Sequence, residues 1–216
     1  MNPDPQPAPR RVITAAEIAA LPPASVFVLP AGARLTALAQ EEAAKRGIVL
    51  QAGAHPDSAA AQRGIAIAAD HGGFALKEAL KPFLVELGYD PVDLGTHSAE
   101  SVDYPDFALA AAGAVAQGRC VAGIVIDGAG IGSCMAANKV PGVRASLCYD
   151  LATARNAREH NHANLLTLGA GLISPDLARQ IVRTWLQTPW GGDRHARRVA
   201  KITAIEQRFT RTDAGR

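Results

Sequence analysis

From residue 63 onward, short apolar runs alternate with segments of helical spacing, and this alternation constrains the fold more than any other feature of the sequence. The five runs occupy residues 64–69, 91–94, 122–126, 144–148 and 165–168. The spacing of apolar residues predicts helices over 76–87, 104–116, 151–159, 175–186 and 193–208, and one more that ends at 138. Short apolar runs separated by helices are typical of parallel strands buried on both faces. We therefore expect an α/β fold with a doubly wound, five-stranded parallel sheet.

The segment before this alternation predicts a small α/β extension at the N-terminus. Within residues 12–51, Thr14 and Glu17 form a capping-box pattern that opens a helix over 15–21, and a second helix is expected over 35–46. Strands are expected over 26–29 and 48–50. Residues 1–11 contain four prolines and predict a disordered tail, residues 52–62 predict a linker, and residues 63–210 form the main domain.

Composition argues against several classes of protein. The formal net charge of +2 is too small to indicate a nucleic-acid-binding protein. The three cysteines contain no C-x-x-C pair, which argues against a zinc site and against a disulfide framework. The sequence has no apolar run of about 18 residues and begins without the apolar core of a signal peptide, so we expect a soluble, cytoplasmic protein with no membrane contact.

Two loops at the expected carboxyl ends of strands carry residues suited to chemistry, and ligands of doubly wound sheets bind at such ends. After the first strand, Asp70 and His71 precede two glycines, a pattern that suits a sugar hydroxyl or a phosphate. The alternative is that Asp70 only caps the following helix. After the third strand, Asp127 heads a loop with glycines at 128, 130 and 132, whose N–H groups would cradle an anion at a helix N-terminus. Tight packing of strand against helix is the alternative there.

Other polar residues lie after the later strands and helices. His160 and His162 could bind a metal, but the sequence has no third ligand at zinc spacing, so a surface or capping role is the default. The glycine loop has neither the G-x-G-x-x-G nor the G-K-[ST] spacing, which disfavours a nucleotide. A basic cluster near the end of the chain could hold an anion or coat a solvated helix; it contains Arg194, Arg197, Arg198, Lys201, Arg208 and Arg211.

Five stretches in this order resemble the type B ribose-5-phosphate isomerases and the related galactose-6-phosphate isomerase subunits: IAIAADHGGFALKEAL, YPDFA, GIGSCMAANKVPGVRA, AREHNHANLLTLG and GGDRHARRVAKI. The resemblance covers residues 63–208, and the combination of motifs is highly specific. It implies a Rossmann-like fold and an aldose–ketose isomerase that acts on a small sugar phosphate through an enediolate. It also implies a mechanism without metal or other cofactor, and active sites shared between two subunits of a homodimer, which could pair into a dimer of dimers.

The resemblance assigns roles position by position. Asp70 and His71 match the pair that contacts the sugar and its phosphate, and His160 matches the histidine that opens the sugar ring, with Asn161 after it. The remaining matches are the backbone anion hole of Gly128, Gly130 and Gly132, the neighbouring Asn138, and two phosphate-binding arginines, Arg194 and Arg198. Ser133, in the same loop, is a further candidate for substrate binding.

Four positions depart from the family pattern. One branch of the family has a catalytic cysteine where this chain has Asp127 and a threonine at Ala129. Another branch has a glutamate base at Ser133 and a serine at Ala129. A family arginine that follows the last strand is replaced by Gly171, which would weaken phosphate binding, because the bidentate fork of arginine is not readily substituted.

Three functions stay open because of these departures. In the first, Asp127 is the base that moves a proton between adjacent carbons, with Cys134 in reserve. A free aspartate is a weak base at neutral pH; burial would strengthen it, and the glycine-loop N–H groups would weaken it. In the second, Asp127 activates water against an amide or ureide carbonyl, and the protein is a hydrolase. In the third, catalysis is lost and the protein binds a sugar or an acid as an assembly component.

The N-terminal extension bears on this choice. The run ITAAEIAAL…VFVLPAGARLTALAQEEAAKRGIVL is similar to short N-terminal segments on some enzymes of bacterial microcompartments. That similarity would imply contact with shell or cargo proteins and a location inside a microcompartment. The alternative is a small packing module that stabilises the dimer.

Overall fold

The computed structural model describes residues 11–23, 25–29, 33–52 and 63–210. The chain divides into two compact units, residues 1–59 and 60–216. The predicted tail, apart from Arg11, and the predicted linker, apart from Ala52, lie outside the described residues. Among the described residues, no helix combines the length and the apolar character needed to cross a membrane.

The described part of the N-terminal unit contains two pairs of parallel strands and two helices. Strand β1 (Val12–Ile13) pairs with β3 (Arg34–Leu35), and β2 (Val26–Leu29) pairs with β4 (Val49–Ala52), with helices α1 (Ala15–Ala19) and α2 (Ala37–Lys45) between them. The predicted capping box is present, since the Glu17 carboxylate accepts the Thr14 N–H at 2.9 Å. The helix expected from residue 35 begins at 37 instead, because Leu35 pairs in β3 and the Thr36 hydroxyl caps the helix by accepting the Ala39 N–H.

The C-terminal unit confirms the predicted five-stranded parallel sheet. Its strand order is β6-β5-β7-β9-β8, and every neighbouring pair is parallel. Along the chain the elements are β5 (Gly64–Ala69), α3 (Phe74–Glu86), β6 (Asp90–Asp93), α4 (Tyr104–Ala116), β7 (Ala122–Asp127), α5 (Ile131–Ala137), β8 (Ala145–Leu147), α6 (Leu151–Glu159), β9 (Leu165–Gly169), α7 (Pro175–Gln187) and α8 (Asp193–Thr210).

The two faces of this sheet are buried in different ways. The isoleucines and leucines that alternate along β5, β7 and β9 pack under α3, α6 and α7, where they form the larger core with Trp185. On the opposite face, Ala66, Ala68 and Val125 meet the alanines of α4. Since small side chains line both sides of that contact, helix and sheet can approach closely. Burial on both faces explains why the strands read as continuous apolar runs.

The sheet has a carboxyl edge, where the strands end, and an amino edge, where they begin. Helix α6 follows β8 and leads back to the start of β9, so it runs from the carboxyl edge at Asp150 to the amino edge at His160. Strand β7 has six residues. At about 3.3 Å of rise per residue, the two edges lie roughly 15–20 Å apart.

A buried lysine anchors α3 to the edge strand β6. Lys77 is fully buried, and its Nζ donates to both oxygens of Asp93 at 2.6 and 2.7 Å. Lys81 and the Gly95 N–H also donate to Asp93, and Glu78 lies 3.0 Å from the Lys77 Nζ. Burial raises the pKa of Asp93, but the hydrogen bonds from Lys77, Lys81 and Gly95 outweigh it and lower that pKa to about 2.

Asp93→Asn is expected to lower the free energy of unfolding by about 3 kcal/mol, because it leaves the ammonium group of Lys77 buried without its main partner. The Asp93 carboxylate has a folded-state pKa below its unfolded value, so its contribution is present above about pH 4 and disappears as the pH falls toward 2. Urea denaturation between pH 7 and pH 2.5 measures both effects.

Asp90→Asn is the matched control for this prediction. Asp90 lies on the same strand, but its contact with Arg63 is 3.4 Å long and both side chains are more than half exposed. We expect a loss of less than about 1 kcal/mol there. Equal losses for the two variants would contradict the role given to the buried pair.

Candidate active site

The loop after β5 brings Asp70 against the end of β7. The Asp70 side chain is buried, and its Oδ1 accepts the Gly73 N–H at 3.0 Å. The Asp70 N–H donates to the Ile126 carbonyl at 3.1 Å. A Cβ atom at Gly73 would lie 2.3 Å from that same carbonyl oxygen, so only glycine permits this approach. Within the described part of the chain, Asp70 Oδ2 accepts no hydrogen bond, and this leaves one carboxylate oxygen for a ligand.

Asp127, the last residue of β7, is held by its own loop. Its Oδ1 accepts the N–H groups of Ala129, at 2.8 Å, and Gly130. Its Oδ2 accepts the Ser133 N–H at 3.0 Å and the Ser133 hydroxyl at 2.5 Å. Four donors fill the acceptor positions of a carboxylate. The role of Asp127 as a base stays a prediction, and it requires one donor to move away. The Ser133 hydroxyl is the one that can rotate without a backbone change.

Three residues predicted for the site point elsewhere. Ser133 is fully buried, so its hydroxyl braces Asp127 and does not reach a substrate. Both ends of the Asn138 amide pair with Ala145, since Nδ2 donates to its carbonyl at 3.0 Å and Oδ1 accepts its N–H at 2.9 Å. The Cys134 thiol lies 3.6 Å from the same carbonyl. Residues four apart share a helix face, so Cys134 and Asn138 both serve the contact between α5 and β8.

The backbone cradle is retained, but with a different set of donors. Among the described residues, the N–H groups of Gly128, Ile131 and Gly132 have no acceptor, whereas the N–H of Gly130, expected in the anion hole, belongs to Asp127. Tyr104 covers Gly132, because a Cβ atom there would lie 2.5 Å from the tyrosine ring. Tyr149 secures the loop from the other side, with its hydroxyl donating to the Ala129 carbonyl at 2.8 Å.

His71 lies beside these loops at the carboxyl edge. It is exposed, and its Nδ1 accepts the Val102 N–H at 3.2 Å. This contact fixes the ring and leaves Nε2 directed away from Val102. The sequence pattern indicates His71 but not Tyr104 or Tyr149. The only signal for Tyr104 was its place in the YPDFA motif, and Tyr149 directly follows the strand expected over 144–148, at a strand end where ligands of such sheets bind.

The other predicted residues gather at the amino edge. His160 ends α6, and its Nδ1 lies 2.9 Å from the amide nitrogen of Asn156. The Asn156 oxygen accepts from Asn161 at 3.2 Å, so its NH₂ group faces His160 and donates to Nδ1. A neutral His160 therefore carries its proton on Nε2, which is free to donate it. Sequence analysis missed Asn156, although it precedes His160 by one helical turn.

His195 joins His160 to the basic cluster. The two imidazole rings stack with centroids 4.2 Å apart and planes 11° from parallel. The Arg194 Nε–H donates to His195 Nε2 at 3.0 Å. Burial lowers the pKa of His195, and the positive charges of His160, Arg194 and Arg198 lower it further. Sequence analysis missed His195 as well; its place between the predicted arginines was the one available signal.

The predicted site residues of one chain therefore fall into two groups on opposite edges of the sheet, which we call the carboxyl and amino half-sites. The carboxyl half-site contains Asp70, His71, Asp127 and the free N–H groups of the glycine loop. The amino half-site contains His160, Asn161, Arg194 and Arg198. Within a single chain His160 lies away from the glycine loop, because α6 carries it to the far end of the strands. Within the described residues, no three histidine, cysteine, aspartate or glutamate side chains are grouped as a metal site would require.

The five-stranded parallel sheet and its strand-end loops are the part of the chain that is similar to known proteins. The sequence pattern of the ribose/galactose isomerase family matches residues 65–202, and the chain belongs to that family. It is 45% identical over 144 residues to ribose-5-phosphate isomerase B of Escherichia coli, a match that covers 67% of this chain and 97% of the relative.

Two further proteins are similar to this chain. The D-erythrulose-4-phosphate isomerase of Pectobacterium atrosepticum is 38% identical over 143 residues, covering 66% of this chain and 94% of the relative. The structure of Clostridium thermocellum ribose-5-phosphate isomerase B superposes with a TM-score of 0.67 at 52% identity, covering 68% of this chain and 99% of that one. The family match begins at residue 65, so the N-terminal unit lies outside it.

Proposed function

We propose that this protein interconverts an aldose phosphate and a ketose phosphate of the ribose 5-phosphate and ribulose 5-phosphate type, through an enediolate. The observation that carries the proposal is the set of free N–H groups at Gly128, Ile131 and Gly132, which adjoin the half-free carboxylate of Asp70 at the carboxyl edge. An enediolate develops negative charge on oxygen, and fixed N–H donors stabilise such charge as it forms.

The proposed reaction begins with ring opening. His160 donates its Nε2 proton to the ring oxygen as the bond from C1 to that oxygen breaks. In the same step the C1 hydroxyl becomes the carbonyl, and the proton that it loses returns to Nε2 through a water molecule. A base then removes the proton from C2 of the open aldose, and the electron pair moves into the enediolate. Return of that proton to C1, together with transfer of the O2 hydroxyl proton to O1, yields the ketose. Asp70 binds substrate hydroxyls through its free oxygen.

We propose Asp127 as the base. In the resting loop its carboxylate has no free acceptor position, so the Ser133 hydroxyl must rotate away from Oδ2 before the proton transfer. A serine in the first turn of a helix can turn its hydroxyl to a carbonyl of the preceding turn, which gives the rotated proton an alternative acceptor.

Arg194 and Arg198 are the proposed phosphate anchors. The position after β9 where the family has an arginine is Gly171, whose N–H donates to the Gly128 carbonyl at 2.9 Å. That position contributes no positive charge at the carboxyl edge. The phosphate must then rely on the amino half-site, where both arginines are exposed.

We further propose a homodimer that completes the site. Since the half-sites lie on opposite edges of one sheet, a two-fold axis that joins the carboxyl edge of one subunit to the amino edge of another would build two whole sites. Whether dimers pair further stays a prediction.

The alternatives receive less support. A hydrolase would also need Asp127 as a base, to activate water, and the same four hydrogen bonds oppose that role. The isomerase is favoured because the family pattern that matches the chain is that of ribose and galactose isomerases. A binding or assembly role without catalysis has no observation of its own in its favour, and the N-terminal unit lies outside the family pattern. Its contact with microcompartment shell or cargo proteins stays a prediction.

The proposed function predicts that purified protein converts ribose 5-phosphate to ribulose 5-phosphate, followed by absorbance of the ketose. A chain that begins at residue 60 should turn over the substrate at the same rate. The matches cover 97% and 99% of two relatives, and the family pattern begins only at residue 65, after the N-terminal unit. Absence of turnover with pentose, tetrose and hexose phosphates would overturn the proposal. Ammonia release from an amide or ureide would favour the hydrolase instead.

A further inference from the structure

We infer that His195 is a positioning residue that couples the ring-opening acid His160 to the phosphate anchor Arg194. This inference rests on the proposed function for the roles of those two residues. It goes beyond that function because it assigns a role to His195. The face of the His195 ring contacts His160, and its Nε2 contacts Arg194.

The first contact is the stack on His160. The centroid distance of 4.2 Å and the small angle between the planes show that the rings are stacked. His160 is partly exposed, with 37% of its side chain accessible, so its ring could rotate if no neighbouring side chain held it. The Asn156 hydrogen bond fixes one ring nitrogen, and the stack fixes the plane. Together they leave a single orientation for the Nε2 proton.

The second contact is the hydrogen bond from Arg194. Because the Nε–H of arginine can only donate, His195 Nε2 must be an acceptor, and the neutral ring carries its proton on Nδ1. The contact uses one edge of the guanidinium group and leaves its terminal NH₂ groups for an anion. It thereby fixes the direction in which Arg194 presents its charge.

The charge state of His195 makes both contacts compatible. The ring is buried, and His160, Arg194 and Arg198 lie around it, with Glu159 as an acidic neighbour. Burial and these neighbours lower the pKa of His195, which favours the neutral ring that the hydrogen bond from Arg194 requires. A neutral ring can face a protonated His160 without the repulsion that a second imidazolium would bring.

The two contacts can be separated by substitution. His195→Phe keeps a flat ring for the stack and removes the acceptor for Arg194. We expect kcat to stay within about threefold of wild type and KM for the sugar phosphate to rise about tenfold. His195→Gln places an acceptor oxygen near the position of Nε2 and removes the stack. We expect the reverse, with KM nearly retained and kcat lowered about tenfold.

Histidine NMR provides a readout that does not depend on activity. In ¹⁵N-labelled wild-type protein at pH 7.5, His195 should show the shift pattern of the Nδ1–H tautomer. The His160 ring protons should be shifted upfield by the stacked ring, and this shift should persist in His195→Phe and vanish in His195→Gln. Arg197→Gln is the control on the same helix, outside the stack, and should change neither spectrum nor rate constants.

The outcomes distinguish this inference from the proposed function. If the spectra agree but no sugar phosphate turns over, the geometry stands and the function falls. If the wild-type protein turns over the sugar phosphate, but both variants show a lower kcat and a higher KM in proportion to their loss of stability, His195 is merely structural and the inference falls. Should His195→Gln fail to fold, the Phe variant decides alone, because a raised KM at unchanged kcat is expected only from a lost contact to Arg194.

Discussion

Asp127→Asn is expected to lower kcat/KM for the sugar phosphate by about 10³-fold. The substitution removes the proposed base, and it also harms the loop. An asparagine side chain offers one accepting oxygen and one donating NH₂ group, whereas the loop directs donors at both positions. In either orientation an NH₂ group faces backbone N–H groups, so the cradle opens. Steady-state kinetics should show a fall in kcat and a rise in KM.

Two companion variants separate the base from the brace. Ser133→Ala removes the one rotatable donor on Asp127 and keeps the three backbone donors. If Asp127 is the base, this variant should keep or raise kcat, because Oδ2 is freed. The double variant Asp127→Cys with Ala129→Thr restores the residues that one branch of the family has at these positions.

The double variant decides the point. If the double variant turns over the substrate, the residue at position 127 is the base, and the loop does not need a carboxylate there to keep its shape. Activity that stays lost, together with unchanged thermal stability, identifies Asp127 as a brace and turns attention to the free oxygen of Asp70. Asp127→Asn with wild-type kinetics would contradict both roles.

The sheet could be read from the sequence because its strands are buried on both faces. Six-residue apolar runs such as Gly64–Ala69 have no competing interpretation once helices separate them, and the bounds of α4 and α6 follow from Asp103 and Asp150 at their N-caps. The two-residue strand β1 and its partner β3 were missed, because pairs this short leave no period-2 signal.

The sequence indicates which residues are candidates for the site, but not how they are arranged in space. The sequence shows that Asp127 and Ser133 are six residues apart, but not that the turn between them folds the serine back onto the carboxylate. That outcome depends on a left-handed Gly130, and any of three glycines could have adopted this conformation. Nor does a linear motif reveal that His160 ends a helix on the opposite edge from Asp127, because that separation is a property of the crossover.

Because Asp127 and His160 are separated in this way, we expect mixed dimers of two inactive variants to recover activity. Asp127→Asn and His160→Ala are each expected to be inactive alone, because each disables every shared site. Within one chain the two residues stand at opposite edges of the sheet. In a dimer that carries one subunit of each kind, one site collects both substitutions and the other collects neither.

Random mixing therefore predicts recovery of about a quarter of wild-type activity, since half the dimers are mixed and each has one intact site of two. Coexpression with two different affinity tags isolates the mixed dimer, which should have about half the wild-type kcat at unchanged KM. Pairing Asp127→Asn with Asp70→Asn is the matched control. Both substitutions lie in the carboxyl half-site, so no mixed dimer contains an intact site and no activity should return. A purified mixed dimer of the first pair that stays inactive would show that the half-sites do not meet across a two-fold axis, because the geometry of a single chain cannot bring His160 to the glycine loop.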